Sequence, residues 1–129
     1  MKLLVCEDDP IMMIVLTTML KRLEHDVICT KDGKQAIETI DRESPDMVIT
    51  DMLLPNVSGI EIVSYLKKLP GKRIPVIMLS SMPRNAMTNT DANFGADCYM
   101  VKPATMEQLK SKIEELKDLV QENGLCNVI

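Results

Sequence analysis

The chain has no tryptophan, two tyrosines (Tyr65, Tyr99), one phenylalanine (Phe94) and one histidine (His25) among its 129 residues. Its interior must therefore be filled by aliphatic and sulfur side chains, and eleven methionines are available to fill irregular gaps. A lone histidine and four cysteines without a CxxC pair exclude zinc of the usual His/Cys kind. Cys6, Cys29 and Cys98 fall in strand-like runs and read as buried, reduced core thiols. Cys126-Asn127-Val128-Ile129 is no prenylation box, because Asn127 is not aliphatic. With a formal charge of −4, the chain has no basic stripe to neutralise a nucleic-acid backbone, which argues against nucleic acid as a direct ligand. No apolar run approaches the ~20 residues that span a bilayer, and no leader pattern precedes the first strand. The expectation is a soluble, cytoplasmic protein with no membrane partner.

What is present is alternation. A 46% hydrophobic fraction and this length suit one domain with a real core. Strand patterns at 2–6, 26–30, 46–51, 74–80 and 97–101 alternate with helical ones. The helices run from Pro10 to about Leu23, from Lys34 to Asp41, from Ser58 to near Leu69, near 84–94, and from Thr105 to Gly124. Ser58/Glu61 and Thr105/Gln108 have capping-box spacing, and Pro10 is tolerated in a first helical turn. Near-continuous apolar strands indicate a parallel sheet covered on both faces. Right-handed crossovers then give an α/β doubly wound sheet with helices on both sides.

Four of the apolar runs end in reactive residues: the first in Glu7-Asp8, the third in Asp51, the fourth in Ser80, the fifth in Lys102. In a parallel sheet these ends share the edge where open α/β sheets bind ligands. Three carboxylates repel one another unless a cation joins them, and hard oxygen donors suit Mg²⁺. Asp is a competent nucleophile toward phosphorus, while Lys102 and Ser80 can stabilise a transferring phosphoryl group. Taken singly, each has a plainer reading. Glu7-Asp8-Asp9 also suits a solvated helix cap, Asp51 a loop residue, Ser80 a strand-end hydrogen bonder, and Lys102 a surface charge. Their joint order favours the site.

Over essentially its whole length the chain resembles the receiver domain of two-component response regulators. The matching residues are Glu7-Asp8, the stretch from Asp51 through Pro55 to Gly59, Ser80, and Lys102-Pro103. The resemblance implies a five-stranded flavodoxin-like sheet of order 2-1-3-4-5, with a receiver domain at 1–124 and a tail at 125–129. It implies that Asp51 is the phosphoacceptor and that Glu7, Asp8, Asp51 and the Leu53 carbonyl hold Mg²⁺. Ser80 becomes the switch hydroxyl, Lys102 its phosphoryl-pairing partner, Tyr99 the aromatic that follows the switch, and the peptide before Pro103 cis. The implied partners are a sensor histidine kinase or histidine phosphotransfer protein, and a target bound by the helix near 84–94, the fifth strand and the last helix. The implied chemistry is phosphorylation of the chain itself and its slow reversal. An aspartate-nucleophile phosphohydrolase would need an acid two residues beyond Asp51, where Leu53 stands.

Three features depart from the common pattern or add to it. Ala104 replaces the usual Phe after Lys102-Pro103, which alters that corner's packing. Leu53 and Met82 put apolar cover beside the site, which predicts a long-lived phosphoryl group. On the first helix Met12, Val15, Leu16, Met19, Leu20 and Leu23 form the expected core face. Ile11, Met13 and Ile14 lie off it, beside the acids, as a docking patch for a helical phosphodonor. Asp9 reads as an N-cap, and Gly59 as serving a tight turn.

Overall fold

Leu3, Leu4 and Val5 are all completely buried, as are Met47, Val48 and Ile49. A strand can bury consecutive residues only when both of its faces are covered, because successive side chains point to opposite sides. The structure, a computed structural model, describes residues 1–82 and 94–128, with side chains as far as Val120. In order these form β1 (Lys2–Cys6), α1 (Pro10–Arg22), β2 (Asp26–Thr30), α2 (Gly33–Glu43), β3 (Met47–Asp51), α3 (Gly59–Lys68), β4 (Val76–Ser80), β5 (Cys98–Val101) and α4 (Met106–Val128). The helix expected near 84–94 lies outside the described residues. All pairings are parallel and the strand order is β2-β1-β3-β4-β5, as expected.

Alternation sorts the interior into two cores. Leu4, Cys6, Val48 and Met78 pack with Ile40 of α2 and Ile62 and Val63 of α3. Leu3, Val5, Ile49 and Ile77 pack on the other side with Leu16 and Leu20 of α1 and Leu109 and Ile113 of α4. Each such aliphatic side chain contributes roughly 1.5–3 kcal/mol by burial. Asp9 caps α1 by accepting from the amides of Ile11 and Met12. Ser58 and Glu61 complete a capping box on α3, and Thr105 and Gln108 exchange the equivalent bonds ahead of α4. Among the described residues no helix is long and apolar enough to cross a membrane.

Four local expectations need correction. Cys29 is exposed, unlike Cys6 and Cys98, because β2 is only partly covered along most of its length, whereas β5, the other edge strand, is buried from Cys98 to Met100. On α1, Met13 packs against the core while Val15 is 43% exposed. At about 100° per residue, Met13 sits roughly 60° from Leu16 and Val15 about 100° from it, so the buried stripe takes the former. α4 continues through Gly124 to Val128, so this glycine does not close the helix. Gly59 is the first residue of α3 rather than part of a turn. Its role is close approach, since a Cβ there would fall 2.0 Å from the Asp51 carbonyl oxygen. Ala104, partly buried, packs against the α1/α4 core.

Candidate functional site

Sheet register brings the reactive residues to one edge. Cys6 pairs with Thr50, which sets Glu7 beside Asp51; Asp51 pairs with Leu79; Ser80 pairs with Val101, one residue before Lys102. Glu7 is 1% exposed, and both its carboxylate oxygens are occupied. Oε1 lies 2.7 Å from Lys102 Nζ, and Oε2 accepts the Asp8 backbone amide at 3.0 Å. The same ammonium is 3.1 Å from Asp51 Oδ2, so Lys102 bridges the two acids.

The electrostatics follow from this burial. Desolvation, reinforced by the hydrogen bond and charge of Asp51, raises the Glu7 pKa above the ordinary glutamate range despite the opposing Lys102. Burial by itself would lower the Lys102 pKa, but its bonds to Glu7 and Asp51 outweigh that and raise it. Ligand atoms from Glu7, Asp8 and Asp51 lie within 4.8 Å of one another. Three carboxylates against one ammonium leave the group short of positive charge. Oxygen-only donors so arranged fit a hard divalent cation such as Mg²⁺.

Beside the acids is a cleft of about 420 Å³ lined by Asp51, Met52, Leu53, Ser80, Ser81, Met82 and Lys102. Leu53 and Met82 stand at its rim, 73% and 44% exposed. Ser80 is buried, and its Oγ accepts the Met82 amide at 3.0 Å. The Tyr99 ring is buried too, with its hydroxyl donating to the Met82 carbonyl at 2.8 Å. The Lys102–Pro103 peptide is cis. Of the α1 patch, Ile11 and Ile14 are 74% and 65% exposed, one to two turns beyond the acids, whereas Met13 has turned to the core.

Sequence reading missed two supports of this edge. Gly33, which opens α2, donates its amide to the Pro55 carbonyl at 3.1 Å, and a Cβ there would meet the Val57 carbonyl oxygen at 1.8 Å. Only glycine lets α2 pack against the loop that follows Asp51. The second is Thr50, wholly buried, whose hydroxyl donates to the Asp51 carbonyl at 2.9 Å. A non-local contact of the first kind leaves no mark in sequence beyond the glycine itself.

Comparison with known proteins agrees with this arrangement. The family model for the response regulator receiver domain matches residues 3–114. The alkaline phosphatase synthesis transcriptional regulatory protein PhoP of Bacillus subtilis is 29% identical over 115 residues, covering 89% of this chain and 48% of PhoP. The chain thus spans about half the length of the curated relatives it matches. Among solved structures, Thermotoga maritima TrrA in complex with Mg²⁺–BeF superposes with a TM-score of 0.79 at 25% identity, covering 89% of this chain and 97% of that one. The receiver domain of a Pseudomonas aeruginosa sensor histidine kinase, with magnesium in its active-site cleft, gives 0.76 at 27% identity, covering 88% and 94%. A bridged acid cluster ending the central strands of a 2-1-3-4-5 sheet, matched by the family model over most of its length, places this chain in the response regulator receiver family of two-component signalling.

Proposed function

We propose that Asp51 is the phosphoacceptor of this chain, taking a phosphoryl group from a sensor histidine kinase or a histidine phosphotransfer protein. The observation that carries this reading is the Lys102 ammonium seated between Glu7 and Asp51 at the mouth of a cleft lined by Ser80. An Asp51 carboxylate oxygen attacks phosphorus, and the new O–P bond forms as the bond from phosphorus to the donor's imidazole nitrogen breaks. The electron pair leaves with that nitrogen. Lys102 already touches Asp51 and stays within reach of the added oxygens. Ser80 can exchange its bond from the Met82 amide for one donated to the phosphoryl group.

Glu7, Asp8, Asp51 and the Leu53 carbonyl would hold Mg²⁺. When bound, the ion offsets the carboxylates' repulsion and the negative charge of the phosphoryl oxygens. The chain modifies only itself and releases the phosphate slowly, because Leu53 and Met82 crowd the approach of water with apolar surface. Ile11 and Ile14 receive the donor, with Met13 contributing to the helix's packing instead. The phosphorylated form acts on a target protein through β5, α4 and the segment near 84–94, and Tyr99 follows the switch. The absence of direct nucleic-acid contact is proposed for this segment alone. The working unit is residues 1–124 with 125–129 as a tail, although α4 runs helically across that boundary.

Incubation with acetyl phosphate and Mg²⁺, followed by intact-mass measurement, tests the reading. A single phosphate adduct on the native chain, lost in Asp51→Ala, is expected. A native chain that stays unmodified overturns it.

A further inference from the structure

The residue before Asp51 belongs to a buried polar row that the chemistry above leaves unused. Cys6 pairs with Thr30 on one side and Thr50 on the other, so a thiol flanked by two hydroxyls crosses three adjacent strands on one face of the sheet. All three side chains are buried, and Cys6 and Thr50 each lie one residue short of an acid, Glu7 and Asp51. A hydroxyl inside an apolar core costs free energy unless it finds a partner, so each must be accounted for. Thr30 Oγ1 donates to the Val5 carbonyl at 3.4 Å, a long bond. Thr50 Oγ1 donates to the Asp51 carbonyl at the ordinary distance of 2.9 Å.

The Asp51–Met52 peptide is therefore held at both poles. Its carbonyl takes the Thr50 hydroxyl, and its N–H donates to the Leu79 carbonyl at 2.9 Å. The same carbonyl also sets the spacing to α3, since a Cβ on Gly59 would come within 2.0 Å of it. A peptide held at both ends resists rotation, so the Asp51 Cα, from which the side chain reaches Lys102, keeps its place at the strand end.

We infer that Thr50 is a positioning residue for Asp51, its buried hydroxyl locking the Asp51–Met52 peptide so that the carboxylate stays aimed into the cleft. Thr50 itself touches no reacting atom. This rests on Asp51 being the acceptor, so the test first establishes that the native chain gains its phosphate there.

The decisive comparison is Thr50→Val, which keeps the branched shape and loses the hydroxyl, against Thr50→Ser, which keeps the hydroxyl and loses a methyl. Phosphorylation by acetyl phosphate is followed at saturating Mg²⁺, well below each variant's melting temperature, giving the maximal rate and half-saturating donor concentration separately. The expected result is a maximal rate about fivefold lower in Thr50→Val, equivalent to about 1 kcal/mol at the barrier. Half-saturation should be unchanged and the rate restored in Thr50→Ser. Should Thr50→Val fold poorly, Thr50→Ala against Thr50→Ser gives the same contrast. Equal rates in the hydroxyl-bearing and hydroxyl-free variants overturn the inference, and so does a Thr50→Ser as slow as Thr50→Val. Absence of an adduct on the native chain would instead refute the acceptor assignment itself.

Discussion

Ser80 and Tyr99 are linked through a single residue, Met82. The Met82 amide donates to Ser80 Oγ at 3.0 Å, and the Met82 carbonyl accepts from the Tyr99 hydroxyl at 2.8 Å. Neither bond can be remade without disturbing the segment that carries the other. If Ser80 turns toward a phosphoryl group, the Met82 amide is released and the Tyr99 ring loses a fixed anchor. In Tyr99→Phe, hydrogen exchange at the Met82 amide should rise about fivefold, as one ordinary hydrogen bond is lost. Acetyl phosphate should still modify Asp51 at the native rate. Unchanged exchange would mean that the two bonds are independent.

On the proposed reading, the polarity of the exposed Leu53 and Met82 side chains at the cleft rim should set the lifetime of the phosphorylated form. Leu53→Asn and Met82→Glu should each shorten the half-life by roughly tenfold, since a polar group there can orient an attacking water. Intact-mass decay after removal of the donor measures this, and unchanged lifetimes would sink the explanation.

Cation affinity should depend on pH through Glu7. Its pKa is raised, mainly by burial, so its carboxylate is lost on acidification earlier than an ordinary glutamate's. A proton on Glu7 competes with the cation, so Mg²⁺ affinity should fall as pH is lowered through that raised value. Titration calorimetry over a series of falling pH values reads the change, and Glu7→Gln should flatten it. A native affinity with the same pH dependence as Glu7→Gln would contradict the assignment of Glu7 to the cation site.

Cys6 and Cys29 should separate cleanly by reactivity. Burial pushes the Cys6 thiol from 9.0 up to about 12, against the smaller pull of the Thr30 and Thr50 hydroxyls. Alkylation of the native protein at pH 8 should therefore modify exposed Cys29 and spare Cys6 until the chain unfolds. Linkage gives the sign for stability. The unfolded chain loses this proton near 9 and the folded chain only near 12, so the Cys6 contribution is complete below pH 9 and is lost as pH rises toward 12. At pH 10 the native protein should have lost about 1 kcal/mol more than Cys6→Ala, relative to pH 8, in urea unfolding.

A charge on the exposed face of α1 should discriminate between donors. Ile14→Glu should slow phosphotransfer from a kinase or phosphotransfer protein by roughly thirtyfold, the loss of about 2 kcal/mol expected for a buried contact. Acetyl phosphate has no need of that surface and should react normally. Equal loss with both donors would refute docking there.

The strands and caps were legible in sequence because each is local. Buried parallel strands read as apolar runs, and Asp9, Ser58 and Thr105 sit at helix starts with their partners two or three residues on. The acids, Ser80 and Lys102 were legible for the same reason, each ending its own run. What could not be read was anything set by an element distant in the chain. Cys29 looked buried, and only the structure shows how incompletely the helices cover β2. Met13 and Val15 exchanged places because the centre of the α1 stripe depends on which neighbours it meets. Gly59 looked like a turn residue, whereas it serves the close approach of α3 to β3. Thr50 gave no signal, since a threonine within a strand is ordinary in itself.

The strand order has a further consequence. β3 is the middle strand, with β4 and then β5 to one side. Asp51, the proposed acceptor, Ser80, the proposed switch hydroxyl, and the buried Tyr99 ring thus stand on successive strands, each about 4.8 Å from the last. The whole journey from covalent chemistry to the outer margin of the sheet is two strand spacings, roughly 10 Å. On the proposed reading, a message over so short a span needs no hinge or domain rotation, only the sideways exchange of the Ser80–Met82 and Met82–Tyr99 hydrogen bonds.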